Sequence, residues 1–283
     1  MRRRFRLVLL LVVACRSTDF DPASYVSGVR VLAVKAEPPE LAPGESTTLT
    51  ALNVDTEGRP VALAWYRCLV KPLPDRPIAD ECVTGDTPSA LMAVGNGSPL
   101  DYTMPVVAPA DLGLPDSTGG FYVPLIARAT AGDSGLSFGY RLRLATGGPR
   151  NQNPVLVSVA HDNVHPKGAA TGEPDQPFAE GRPIAISAGQ EVTLRADFAP
   201  GSAETYDVVI PGTPARTVTE TLSVSWFATG GSFTEDVTSP DKPDTKLRLD
   251  ERVPLPGTTM DLWIVAHDER GGADFLHRTL VVQ

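Results

Sequence analysis

Four groups of residues in this 283-residue chain have types and spacings that chemistry could use. Gly132-Asp133-Ser134-Gly135 places a serine in the kind of tight turn that can present an acyl-transfer nucleophile. His161-Asp162-Asn163-Val164-His165 carries imidazoles at i and i+4, the spacing that sets two zinc ligands on one face of a helix. Asp268, Glu269 and Asp274 cluster at one turn, with Asp111, Asp116 and Asp133 scattered earlier, and Ca²⁺ needs six to eight oxygens of this kind. The three cysteines, Cys15, Cys68 and Cys82, complete the set.

The first three groups each have a plainer reading. Trypsin-like proteases place the catalytic histidine before the serine in the chain, whereas the first histidine here is His161, after Ser134. The corresponding turn in the second half has Gly271-Gly272 and no serine, so 132–135 reads as a hairpin turn and no catalytic residue is assigned. The zinc reading needs a helix and a glutamate after the first histidine. Asp162 stands there instead, and Pro166 disfavours helix at His165, so the segment reads as a solvated loop and no metal ligand is assigned. The acids match neither an EF-hand nor the repeated acidic boxes of cadherins and read as solvated loop tips. Calcium stays as the competing cofactor. His267 and His277 fall in strands, facing outward or hydrogen-bonded to a neighbour.

The cysteines are more informative. Arg2, Arg3, Arg4 and Arg6 precede an apolar run, Leu7 to Ala14, that closes on a small residue. This is the pattern of a secretory signal peptide, residues 1–14, and the run is far short of the ~20 apolar residues a membrane span requires. Val12-Val13-Ala14-Cys15 resembles the lipobox of bacterial lipoproteins, which implies that Cys15 is lipidated and becomes the mature N-terminus. Arg rather than Asp at position 16 then implies the outer membrane, by the sorting rule of enteric lipoproteins. Cleavage removes four arginines and no acid, taking the net charge from −9 to −13. Nucleic-acid binders need clustered Lys and Arg, so a nucleic-acid partner is set aside. Cys68 and Cys82 remain as an even pair in an oxidising compartment, which points to a disulfide closing a proline-rich loop.

These groups must sit on strands. The 27 prolines are about twice the ordinary content, and few stretches escape Pro or Gly long enough for a three-turn helix. Short alternation recurs instead: Val61, Leu63 and Trp65 against Ala62, Ala64 and Tyr66; Leu222, Val224 and Trp226 against Thr221, Ser223 and Ser225; and Val192, Leu194, Ala196 and Phe198 on one face. The set also repeats. Pro43-Gly44-Glu45 before Thr48 to Ala51 has a counterpart in Ala188-Gly189-Gln190 before Thr193 to Ala196. Each is followed by a tryptophan strand, and each half closes on Phe-x-x-Arg, at Phe138 and Arg141 and at Phe275 and Arg278. The fold class read from this is all-β: two tandem immunoglobulin-like β-sandwiches, with Trp65 and Trp226 as core residues and Trp263 undecided. The expected divisions are 15–27 as lipidated Cys and linker, 28–147 as the first sandwich, 148–154 as a linker of turn residues, and 155–283 as the second sandwich. The first linker would lift the first sandwich clear of headgroups by at most ~40 Å.

The opener from Arg30-Val31-Leu32-Ala33-Val34-Lys35-Ala36-Glu37 to Pro43-Gly44 resembles the start of immunoglobulin-like domains in bacterial surface lipoproteins. Trp263-Ile264-Val265-Ala266-His267-Asp268-Glu269-Arg270-Gly271-Gly272 is similar to the closing hairpin of those domains and of PKD-type repeats. The resemblance implies a fold and little about function. The expectation is a membrane-anchored, non-catalytic binding, adhesion or structural module of the cell envelope, with an envelope protein or extracellular ligand as partner. The alternatives are a calcium-stabilised adhesion module and a metal-dependent secreted enzyme built on His161 and His165. Two long insertions, 161–183 and 199–219, enlarge the second half. Long loops in compact domains tend to be functional or disordered; if a partner is recognised it is at this end, with His161, His165, Tyr206 and Asp207 as the candidate partner-binding residues.

Overall fold

The computed structural model describes residues 21–73, 76–250 and 252–283. The signal segment, Cys15 and residues 16–20 lie outside them. The described chain is all-β. Its one α-helix is Asp80–Thr84, beside two 3₁₀ turns, and among the described residues no helix is long and apolar enough to cross a membrane.

In the first half Val29–Glu37 pairs with Ser46–Asp55, which pairs with Leu100–Thr103. The facing sheet runs Glu40–Leu41, Ser134–Leu144, Phe121–Ala131, Ala62–Cys68, Leu91–Asn96. In the second half one sheet runs Gln176–Pro177, Leu156–His161, Gln190–Phe198, Asp244–Arg248, Ser232–Phe233. Its partner runs Ile184–Ile186, Ala273–Val282, Thr259–His267, Ser223–Ala228, Val237–Thr238. In both halves a short strand leaves the first sheet and runs parallel to the last strand, with Glu40 opposite Arg143 and Ile184 opposite Leu280. The connections thus follow one plan twice.

Alternation explains what each sheet buries. In Ala62–Cys68 the buried positions are Leu63, Trp65 and Cys68, and in Ser223–Ala228 they are Val224, Trp226 and Ala228. One core gathers Val31, Leu49, Trp65, Leu125 and Leu142 among others. A second gathers Val192, Leu194, Trp226, Leu247 and Ile264. The Trp65 indole N–H donates to Gly97 O (2.9 Å) and that of Trp226 to Thr238 Oγ1 (2.9 Å), so each buried ring keeps its polar edge bonded. A smaller cluster of Cys68, Cys82, Ala90 and Ile126 lies beneath the loop closed by the Cys68–Cys82 disulfide. Ser134 sits in a hairpin: Ala131 pairs with Ser134 across Gly132-Asp133, and Gly132 takes the positive φ of +55° that a two-residue turn needs.

Two segments read as linkers are packed instead. Ser24 and Val26 are buried, Val26 N donates to Ala228 O (2.8 Å), and Ala228 N donates to Ser24 O (2.9 Å). The chain therefore runs along the second half before it enters the first, so the reach of a free 16–27 linker does not apply. Backbone groups at 24–26 that would face water in a free linker find partners on the edge of Ser223–Ala228, which explains the docking. Residues 150–153 are likewise bonded into the junction between the halves. Trp263, undecided from sequence, is 7% exposed. It stacks on His277 (5.6 Å between centroids) and, with Tyr25, Val26 and Val54, lines a groove between the halves.

Candidate functional site

The histidine segment is not a solvated loop. Asp162 is 2% exposed and accepts bonds from Thr193 N (2.7 Å) and Thr193 Oγ1 (2.9 Å), which pin the segment to the neighbouring strand. The segment is not helical, and the two imidazoles have different partners. His161 ends its strand with its ring edge on Phe178 (5.7 Å) and Nδ1 against Asp162 O (2.6 Å). His165 pairs with Glu191 across a short strand and holds Nε2 3.3 Å from Asp162 Oδ2. Glu191, fully buried, is pushed up by burial, but bonds from Arg248 and Lys246 outweigh that and hold its carboxyl below the usual range. Among the described residues no three His, Cys, Asp or Glu gather as a metal would require.

The acids of the 268–274 turn are not solvated tips either. They form a latch between the halves. Asp268 Oδ1 accepts the backbone N–H of Arg270 and of Gly272 (2.8 Å each), and Oδ2 accepts Asn151 Nδ2 (3.0 Å). Asn151, fully buried, donates its own N–H to Glu40 Oε2 (2.8 Å) in the first half. Glu40 in turn stands 3.3 Å from Arg143 Nε, and Arg143 Nη1 donates to Thr118 Oγ1 (2.7 Å) and Tyr122 OH (2.8 Å). On the other side Arg270 Nε donates to Glu220 Oε1 (2.5 Å) and Nη2 to Glu204 Oε2 (2.7 Å). Burial pushes the Glu220 carboxyl above its ordinary range and the Arg270 bond only partly offsets it. Arg270 itself is held more firmly protonated, because its carboxylate partners outweigh its burial. The close contact favours the charged pair. A second strand of the latch joins Lys35 Nζ to Asp274 Oδ1 (3.0 Å) and Asn153 Nδ2 to Ala36 O (2.7 Å). Gly272 is required here: a Cβ on it would lie 2.2 Å from Asp268 Oδ2.

The 199–219 insertion forms a hairpin, Thr205–Val208 with Arg216–Thr219. Tyr206, expected to meet a partner, is 6% exposed and committed within the molecule. Its hydroxyl donates to Glu269 Oε1 (2.7 Å), its ring lies under the Arg270 guanidinium (4.3 Å), and burial raises its pKa. Asp207 accepts from Thr217 Oγ1 (2.6 Å) across the hairpin. The tip reaches the first half, where Gly119 leaves room for Val209: a Cβ on Gly119 would lie 3.0 Å from Val209 O.

No protein-family model matches the chain, and no curated protein does. Similar solved structures include three N-terminal domains of the highly immunogenic outer capsid protein Hoc of bacteriophage RB49 (11% identity, TM-score 0.21, covering 90% of this chain and 70% of that one). They also include dimeric latent PorU of Porphyromonas gingivalis (10% identity, TM-score 0.22, 90% of this chain and 24% of that one). This chain spans about a quarter of the PorU chain. Superpositions at these scores carry no argument about role.

Past the hairpin tip lies a groove of about 480 Å³ to which both halves contribute. Pro72, Leu73, Leu112 and Leu114 give it apolar walls, Ile210 comes from the hairpin, and Arg141 supplies a guanidinium stacked on Tyr122 (4.4 Å). Arg141 stands 3.8 Å from Asp116, whose Oδ1 is already engaged by Thr118 and Gly120. The lining is thus mixed, with proline and aliphatic walls beside an arginine–aspartate pair, Ser117 and Tyr122, and a concave surface that combines apolar walls with a few polar groups can hold a ligand. The disulfide positions one wall, since Leu73 and Pro77 lie within the loop it closes. Sequence reading missed this groove and the latch. Its one local hint was Leu142-Arg143-Leu144, where alternation puts an arginine on the face opposite the core.

Proposed function

We propose that this chain is a lipid-anchored protein of the bacterial cell envelope. Its two immunoglobulin-like halves act as one rigid, non-catalytic module that binds a partner or holds structure at the membrane. The observation that carries the reading is the latch. Buried Asn151 donates both to Glu40, which is paired with Arg143 in the first half, and to Asp268 in the second, and Lys35 of the first half pairs with Asp274 of the second. Breaking such an array leaves charges unpaired, which fixes the halves relative to one another. A rigid body with its N-terminal segment docked suits a tethered module, and the Val12-Val13-Ala14-Cys15 junction supplies the tether.

The groove at Leu73, Leu114, Arg141 and Ile210 is the surface we assign to the partner, in place of the exposed insertion tips. The test of the anchor is intact-mass spectrometry of membrane-extracted protein alongside fractionation of Cys15→Ser. A mature chain starting at Cys15 with acyl mass, and release of the variant into the soluble fraction, are the expected results. An unacylated chain, or a variant that stays with the membrane, refutes the anchor.

A further inference from the structure

The loop 252–258 has a feature the latch does not use. Val253-Pro254-Leu255-Pro256 is a run of four apolar residues at the surface, with Val253 41% and Leu255 77% exposed. Runs of this kind on a soluble surface mark a contact site. The loop is held in shape rather than splayed. Gly257 N donates to Val282 O (2.7 Å), Thr258 N and Oγ1 donate to Leu255 O (3.1 and 2.6 Å), and Pro254 packs so closely over Gly230 that a Cβ there would lie 2.7 Å from its Cγ. Leu255 is therefore presented on a fixed turn.

The loop also stands where the chain leaves for its anchor. Arg252 Nε donates to Asp21 Oδ1 (3.0 Å) and its guanidinium lies 5.1 Å from the Tyr25 ring. Between Asp21 and Cys15 lie residues 16–20, so Cys15 is at most ~20 Å from Asp21 even if fully extended. We propose that the 253–256 tip is a membrane contact: it inserts into the interface of the bilayer that holds Cys15 and sets the tilt of the module. This rests on the lipid-anchored reading. The occupant is a lipid surface because a lipid surface is what the short tether brings to this loop. The contact is apolar because a mature chain of net charge −13 is repelled by anionic headgroups. Two aliphatic side chains and two prolines bind a bilayer weakly when free. A tether that keeps them at high local concentration makes weak insertion sufficient.

The test uses the full-length protein extracted from membranes. With Cys15 consumed as a thioether and Cys68 and Cys82 bridged, Leu255→Cys introduces the sole free thiol, which takes an environment-sensitive fluorophore. Val253→Cys provides a second reporter, and Val106→Cys, 89% exposed in the first half, a control. In vesicles of phosphatidylethanolamine and phosphatidylglycerol, label at 255 and 253 is expected to shift to shorter wavelength and to be quenched by spin-labelled lipid, while label at 106 does neither. Acylated, vesicle-bound protein whose 255 and 253 labels emit as in water overturns this proposal and leaves the anchor standing. Protein without acyl mass overturns the anchor and this proposal together.

Discussion

Asn151 and Asp268 are 117 residues apart in sequence and meet at 3.0 Å, both buried. The same Asn151 is bonded through its backbone to Glu40 of the first half, so one side chain and its own peptide N–H tie the two cores together. Asp268→Ala removes the acceptor from three donors, Asn151 Nδ2 and the N–H groups of Arg270 and Gly272. Each buried donor left without a partner costs ~1–3 kcal/mol, so a loss of at least 3 kcal/mol is expected. Urea unfolding checks it. The parent should unfold in one cooperative transition and the variant in two, and an unchanged single transition would contradict the latch.

Trp226 is fully buried between the sheets of the second half, with its N–H on Thr238. Trp226→Ala should cost ~3–5 kcal/mol through lost contact and an unfilled cavity. Thermal melting followed by circular dichroism is the check, and a melting temperature equal to the parent's would rule out the core role.

What was legible in the sequence is what local spacing encodes. Period-two alternation at 61–66, 192–198 and 221–226 located strands because a sheet with one buried face must alternate. The Gly132-Asp133 turn follows from a similarly short-range rule, while the pairing of Cys68 with Cys82 comes from cysteine count and compartment. The latch was illegible because its members, Glu40, Arg143, Asn151, Glu204, Glu220 and Arg270, are scattered over 230 residues of chain and become neighbours only once the two halves pack. Charged residues on an outward face read as solvated, which is correct for a sheet face open to water and wrong for one covered by the other half. For the same reason Asp268 and Asp274 looked like free loop tips, and the 24–26 segment looked like a spacer.

The disulfide should matter locally. Closing the 68–82 loop is worth ~3 kcal/mol by the chain-entropy argument, and it positions Leu73 and Pro77 at the groove. Cys68→Ala with Cys82→Ala should lower the melting temperature and raise hydrogen exchange across 69–81. Exchange there that matches the parent would mean the loop is held without the bridge.

His267 gives the chain a pH dependence whose sign can be worked out. Burial lowers its pKa below the ordinary 6.5, against a smaller opposing pull from Asp268. The unfolded chain thus binds a proton at a pH where the folded chain does not. Stability from this group is complete above pH 6.5 and falls as pH drops from there toward the folded pKa. Glu220, raised by burial, acts in the opposite sense, losing stability as pH rises through its own folded value. Comparison with a variant separates the two. The stability difference between the parent and His267→Gln should change between pH 7.5 and 5, with the parent losing ground on acidification. A difference that stays flat over that range would place the titration elsewhere.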